Sequence, residues 1–392
     1  MKTISRFFNE STGSFFLMGP RGTGKTWWTQ HRFPDALRID LLDAVVFREL
    51  AVHPEGLRER VDARPGLKTV VIDEVQKLPG LLDEIHLLIE QKRGIQFVLT
   101  GSSARKLRRA GTNLLGGRAE RRTLHPYMAT ELGSKFNLNA ALTHGLIPVI
   151  HASPAPHDTL AAYNALYLRE EIQMERLTRN IGAFSRFMEV MSFSHAAVMN
   201  AANIARECAV SRPTICAFLE ILEDLLLGFR LPVFTRRARR ELAAHPKFYF
   251  FDTGVFRANR PTGPLDNPGE IEGAALEGLV AQHLRAWCDY SAGNHTLHYW
   301  QTRSQTEVDF VVYGKSGLFA LEVKNTGKVR PEDLRGLSAF GADYPESRRF
   351  FLYRGKDRLL RDGILILPCE EFLRELKPGA FPFADDGINQ TQ

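Results

Sequence analysis

A chain of 392 residues is longer than one ordinary hydrophobic core and points to two or three domains. Hydrophobic residues at 44% and charged residues at 24% exclude a disordered chain, and no apolar run reaches the roughly 18 residues that a membrane helix needs. A net charge of +6 favours acidic partners, nucleic acid first.

The opening stretch MKTISRFFNESTGSFFLMG breaks its apolar residues with polar and charged ones and makes a poor signal peptide. Cys208, Cys216, Cys288 and Cys369 show no CxxC or metal-finger spacing. We therefore expect reduced thiols in a cytoplasmic protein. Residues 1–125 alternate strand-like and helix-like runs. SFFLM (14–18), ALRID (36–40), KTVVIDE (68–74), IQFVLTG (95–101) and AERRTL (119–124) read as strands. Leu81, Leu82, Ile85, Leu88 and Ile89 mark one face of a helix between two of them. This alternation predicts a parallel, three-layer α/β core.

Residues 126–190 read as a helical lid or connector, 191–260 as a small helical module returning to strand at HPKFYFFDTGV, and 261–380 as helix, three strands, helix, strand. PTGPLDNPGE (261–270) is the expected linker, and 381–392 an expected disordered tail.

GPRGTGKT, Gly19 to Thr26, follows a strand and precedes a helix-compatible run, the context of a phosphate-binding loop. Gly19, Arg21, Gly22, Thr23 and Gly24 form the cradle, whose backbone N–H groups turn toward phosphate oxygens at the helix N-terminus. Lys25 is expected to reach the β- and γ-phosphates of ATP and Thr26 to take one Mg²⁺ position. TVVIDEV (69–75) delivers Asp73 to a strand end as a Mg²⁺ partner, with Glu74 next to polarise the attacking water. FVLTGSS (97–103) offers Thr100 or Ser102 as a γ-phosphate sensor. Arg118, after a paired glycine, is the candidate guanidinium offered to a neighbouring subunit's ATP, in competition with Arg105, Arg108 and Arg109.

GPRGTGKT, VVIDEVQKLP, FVLTGSSARKL and LLGGR…LHPYMATEL together resemble the AAA+ ATPases of bacteria and archaea whose ATPase core precedes a C-terminal domain of unknown function. Those proteins typically read GPRQxGKTT, IDEIQ, TGSS and LAGR in these positions. Their GGxPE-like element is matched in part by Gly145-Leu-Ile-Pro148, without one glycine and the glutamate. The resemblance covers nearly the whole chain and is weakest over 126–190. It implies a winged helix as the next module and a homo-oligomer, a hexameric ring among the options.

Residues around 200–231 support that module independently. A short turn at Ala209–Ser211 leads into a helix opened by Ser211 as N-cap, with Pro213 in its first turn. Ser211, Arg212 and Thr214 stand where helix-turn-helix proteins meet a DNA groove, and Arg236, Arg237, Arg239 and Arg240 would contact phosphates.

TEVDFVVYGKSGLFALEVK (306–324) has the residues of a PD-(D/E)XK nuclease core in its hairpin, and the element order also fits that fold. Glu277 on the preceding helix, Asp309, and Glu322 would hold a divalent ion, with Lys324 as the catalytic partner. Period-2 alternation puts Glu322 with Lys324 and Glu307 with Asp309 on shared strand faces. Gln282 is expected on the exposed side of its helix, and a pairing of Lys324 with Glu307 is the structural alternative.

The expectation is an AAA+ P-loop core, a helical and winged-helix middle and a restriction-endonuclease-like end. ATP hydrolysis would drive remodelling of, or translocation on, duplex or branched DNA, with metal-dependent cleavage as an open question. Two alternatives stand beside it. One is a regulatory or defence-type NTPase switch, and the other is a binding module with a vestigial nuclease fold.

Overall fold

A computed structural model describes residues 4–103, 118–167, 181–236, 242 and 245–383. The chain divides into two compact units, Phe8–His125 with Glu220–Leu227, and Met1–Phe7 with Pro126–Leu219 and Gly228–Gln392.

The first unit is built on five strands, β1 (Phe15–Met18), β2 (Leu37–Asp40), β3 (Thr69–Asp73), β4 (Gln96–Gly101) and β5 (Glu120–Thr123). They lie in the order β2-β3-β4-β1-β5, and every neighbouring pair is parallel. Apolar residues of β1, β3 and β4 are buried, as continuous apolar runs covered on both faces require. The edge strand β5, Glu-Arg-Arg-Thr, stays exposed or half-buried. Helix Leu81–Glu90 seats Leu81, Leu82, Ile85 and Leu88 in the core beside Ile72 and Phe97, the face its periodicity predicts. Each such side chain contributes about 1.5–3 kcal/mol on burial.

The second unit holds two sheets. β6 (Ala197–Val198), β7 (Gly228–Leu231) and β8 (Lys247–Phe250) form a small antiparallel sheet in the order β6-β8-β7. Helix Ile181–Phe193 precedes it, and helices Ala201–Glu207 and Arg212–Asp224 lie in the chain between β6 and β7. The larger sheet has six strands, β9 (Thr296–Gln301), β10 (Glu307–Gly314), β11 (Gly317–Val323), β12 (Arg348–Tyr353), β13 (Leu359–Arg361) and β14 (Ile364–Pro368), ordered β13-β14-β12-β11-β10-β9. β10 and β11 form a tight antiparallel hairpin, while β11-β12 and β12-β14 are parallel. Helix Pro268–Tyr290, capped by Asn267 and started by a proline, contacts this sheet and is buried on most of its circumference. Gln282 is therefore buried, with its Oε1 accepting from the Thr253 N–H at 3.2 Å, and not exposed as its polarity suggested.

His195 gives this unit a pH dependence. Its Nδ1 accepts from the Phe250 N–H at 3.1 Å, and its ring stacks on Phe256 with centroids 4.1 Å apart. Burial disfavours the charged imidazolium and lowers its pKa to about 3. The unfolded chain takes up this proton below about pH 6.5 and the folded one does not, so the contribution is full above that pH and is lost as pH falls toward 3. Between about pH 7 and pH 5, wild type should lose about 2 kcal/mol more stability than His195→Asn, whose Oδ1 replaces the Nδ1 acceptor. Urea unfolding at the two pH values measures this, and equal losses would remove His195 from the account.

Candidate nucleotide site and carboxylate centre

The strand order positions the first constellation. Because β4 lies between β3 and β1, Thr100 is carried to the side of Asp73, and Gly101 lies across from Met18 at the head of the phosphate loop. Gly22 and Gly24 turn this loop through φ of 81° and 90°, a region that side chains resist. Helix Lys25–Arg32 starts directly after it. The Lys25 ammonium, buried, donates to the carbonyls of Gly19 at 2.7 Å and Pro20 at 3.3 Å, and phosphate oxygens would compete for the same donors. Thr23 is fully buried and fixes the loop by donating from Oγ1 to the Pro20 carbonyl at 2.8 Å. Arg21 is exposed at the loop tip.

Asp73 is the hub. Its Oδ2 accepts from the Thr26 hydroxyl at 2.8 Å, and its Oδ1 accepts from the Thr100 hydroxyl. Thr100 Oγ1 in turn accepts from the Glu74 N–H at 3.2 Å. Glu74 stands in the left-handed region at φ 56°, which costs a residue with a side chain on the order of 1–2 kcal/mol. Gln76, part of VVIDEVQKLP but given no role there, ties the rest together. Its Nε2 donates to Ser102 Oγ at 3.1 Å and to the Glu74 carboxylate. Thr26, Asp73, Glu74, Gln76, Thr100 and Ser102 thus form one connected polar network at the carboxyl ends of parallel strands. Hard oxygen donors set side by side next to a phosphate loop fit Mg²⁺.

Arg118 is elsewhere. It precedes β5, and β5 starts level with Phe15, so the residue lies at the opposite ends of the strands from the loop. Its exposed side chain pairs with Glu90. Arg105, Arg108 and Arg109 lie outside the described residues.

Of the groove-facing candidates, Ser211 and Arg212 are exposed and Thr214 half-buried. Ser211 Oγ accepts from the Thr214 N–H at 3.4 Å, and the two hydroxyls are 2.9 Å apart, so Ser211 closes the helix start. Arg236 lies over the Tyr313 ring, 4.7 Å from its centroid, and its carbonyl accepts from the Tyr344 hydroxyl at 3.0 Å. Arg237, Arg239 and Arg240 lie outside the described residues.

The C-terminal candidates do converge. One step along the hairpin from the Phe310–Leu321 pair, Asp309 faces Glu322, and its Oδ2 accepts from the Val323 N–H at 2.9 Å. Lys324 Nζ pairs with Glu322 at 2.7 Å, not with Glu307. The partner of Glu307 is a residue that sequence reading missed. Lys247, from β8, reaches Glu277 at 3.1 Å and Asp309 at 3.3 Å and also pairs with Glu307. The Tyr249 hydroxyl, on the same face of β8, donates to Glu277 at 2.6 Å. The only sequence signal for Lys247 is a lone cation opening the aromatic strand KFYF.

The electrostatics follow from burial. Burial first, and then the Asp309 charge, raises Glu277 and Glu322 above the usual carboxyl range. Burial works against the Lys247 ammonium, but Glu277, Tyr249, Asp309 and Glu307 outweigh it and hold its pKa well above the usual lysine value. Among the described residues no three His, Cys, Asp or Glu groups are arranged to hold a metal ion. As arranged, with an ammonium among its oxygens, the centre does not fit a divalent cation.

Three family models match the chain. An AAA domain model matches residues 11–133. Two domains of unknown function follow, DUF8612 over 135–265 and DUF4143 over 272–372. No curated protein matches the chain. Among solved structures, protein VC1899 from Vibrio cholerae is similar over 79% of this chain and 88% of that one, at 12% identity and a TM-score of 0.23, a likeness too slight to carry an argument. Residues 11–133 are thus similar to an AAA domain, and the rest of the chain to two domains of unknown function.

Proposed function

We propose that this protein hydrolyses ATP and uses the cycle to act on DNA. The observation that carries the first half is the Asp73 carboxylate joined at once to the Thr26 and Thr100 hydroxyls, with Glu74 beside it. Lys25 holds the terminal phosphates, Thr100 or Ser102 senses the last of them, and Glu74 takes the proton of the attacking water. Mg²⁺, held by Thr26 and Asp73, would neutralise charge on the transferring phosphoryl group. Gln76 holds the Glu74 carboxylate in place. Arg118, exposed at the far end of β5, is suited to a second copy's nucleotide and not its own, which favours a homo-oligomer.

The DNA half is supported by a helix-turn-helix set between β6 and the β7-β8 pair, an arrangement we read as a winged helix. Ser211 and Arg212 are exposed at the start of its second helix, the end that enters a groove in such modules. We read the six-stranded sheet with helix Pro268–Tyr290 as nuclease-like in fold. Turnover measured with single-stranded, duplex, forked and four-way-junction DNA tests the coupling. Stimulation by at least one of them is expected. Arg212→Ala should weaken DNA binding and lower its salt slope by about 1.

A second reading is an ATP-driven switch whose C-terminal domain only binds nucleic acid or partners. It is favoured by the lysine seated in the carboxylate centre. Turnover indifferent to every DNA would leave this reading standing and remove the first.

A further inference from the structure

We propose that the carboxylate centre of the C-terminal domain is occupied by this chain's own Lys247 ammonium, seated where a metal-dependent nuclease holds its divalent cation. The centre is then a latch fastening β8 to the six-stranded sheet, and not a cutting site. The comparison with a nuclease rests on the fold reading above; the seating of Lys247 does not.

An ammonium has three N–H donors and no acceptor. Lys247 has three carboxylate partners, Glu277 on the long helix and Glu307 and Asp309 on β10. The side chain is only 3% exposed, so this is an interior cation with all its donors committed. Three of the oxygens around it hold other partners as well. Glu277 Oε1 also accepts from the Tyr249 hydroxyl at 2.6 Å. Asp309 Oδ2 accepts from the Val323 N–H at 2.9 Å, and Glu307 Oε2 accepts from Gln301 Nε2 at 2.7 Å.

A divalent ion in this space would need several of these oxygens at about 2.0–2.6 Å and would have to displace a paired, buried ammonium first. Glu322 Oε2 is the one carboxylate oxygen of the group that is buried without a partner. Waters can complete such a cation's shell, so the obstacle is the ammonium already bridging Glu277, Glu307 and Asp309. Lys324, the lysine the nuclease pattern requires, is half-exposed and turned onto Glu322. Lys247 enters from β8, outside the helix and hairpin that carry the nuclease pattern, so its ammonium joins two sheets through one charge cluster.

The test titrates Mn²⁺ into the nucleotide-free full-length protein and counts bound ion by the loss of the free-ion electron paramagnetic resonance signal. Wild type and Asp309→Asn should bind Mn²⁺ alike, because the centre offers it no place. Lys247→Ala should gain at least about tenfold in Mn²⁺ affinity, lost again in Lys247→Ala with Asp309→Asn. If Lys247→Ala is unstable, Mn²⁺ should raise its melting temperature and leave that of wild type unchanged. Wild-type Mn²⁺ uptake that disappears in Asp309→Asn would overturn the proposal, and so would a folded Lys247→Ala that binds no more ion than wild type. End-labelled DNA incubated with wild type and Mg²⁺ or Mn²⁺ should stay intact. Cleavage lost in Asp309→Asn would overturn the latch while leaving the DNA-directed function standing, whereas a failure of DNA to bind at all would sink that function and leave the Mn²⁺ result untouched.

Discussion

Glu74→Gln should bind ATP as wild type does and turn it over roughly 10²- to 10⁴-fold more slowly, equivalent to about 3–5 kcal/mol of transition-state stabilisation. Glutamine keeps the size of the side chain and its contact with Gln76. It cannot accept the proton of the attacking water. Asp73, Thr26 and Thr100 stay joined in this variant, so the binding half of the site is left whole. Lys25→Ala should fail differently, losing affinity for nucleotide along with turnover, since its ammonium is the proposed phosphate contact. Phosphate release at saturating ATP, together with binding of a fluorescent ATP analogue, separates the two failures. Full turnover in Glu74→Gln would move the base to another residue, and full turnover in Lys25→Ala would remove the nucleotide from this loop.

The core of the first unit was legible because its strands are buried on both faces and must be apolar. SFFLM, KTVVIDE and IQFVLTG match Phe15–Met18, Thr69–Asp73 and Gln96–Gly101 to within a residue or so at each end. The chain alone does not show that Thr100 bonds Asp73, because that depends on β4 lying between β3 and β1. The role of Gln76 was hidden for a related reason. The IDEIQ-like run contains this glutamine, but nothing in the chain shows what it does until the neighbouring strand end supplies Ser102.

The C-terminal domain shows the same limit at longer range. Helix, hairpin and following strand could be read in order, and alternation put Asp309 with Glu307 and Glu322 with Lys324. Lys247 enters from 62 residues before Asp309 in the chain, and only tertiary packing brings it there. The β13-β14 hairpin, missing from the sequence-based expectations, does have a signal in Asp362-Gly363, both at positive φ as a tight hairpin turn requires. Gln282 was misplaced because a helix buried on most of its circumference has no polar side to reveal.

The second large effect concerns a clamp within the same unit as that domain. Asp252 is fully buried. Its Oδ1 caps helix Thr253–Asn259 by accepting from the N–H groups of Gly254 at 2.8 Å and Val255 at 3.4 Å. Its Oδ2 accepts from the Leu146 N–H at 2.7 Å, the residue after Gly145. A β-carbon on Gly145 would sit 1.9 Å from Asp252 Oδ1, and Gly145 adopts φ 75°, so only glycine fits beside the carboxylate. This gives a physical reason for the one glycine retained from the GGxPE-like element. Asp252→Ala removes the cap and strands a buried N–H, a loss of about 2–5 kcal/mol read as a lower urea midpoint at unchanged slope. Asp252→Asn should lose less than Ala, since its amide oxygen still accepts on one side and no charge is buried, while its NH2 faces a backbone N–H on the other. Burial raises the Asp252 pKa to about 6, so the stability wild type has below about pH 4 is lost as pH rises through 6. The Asn variant lacks that loss, and its deficit against wild type should therefore be smallest at pH 7 and above. If Asp252→Ala unfolds at the wild-type midpoint, the clamp does not hold this part of the fold.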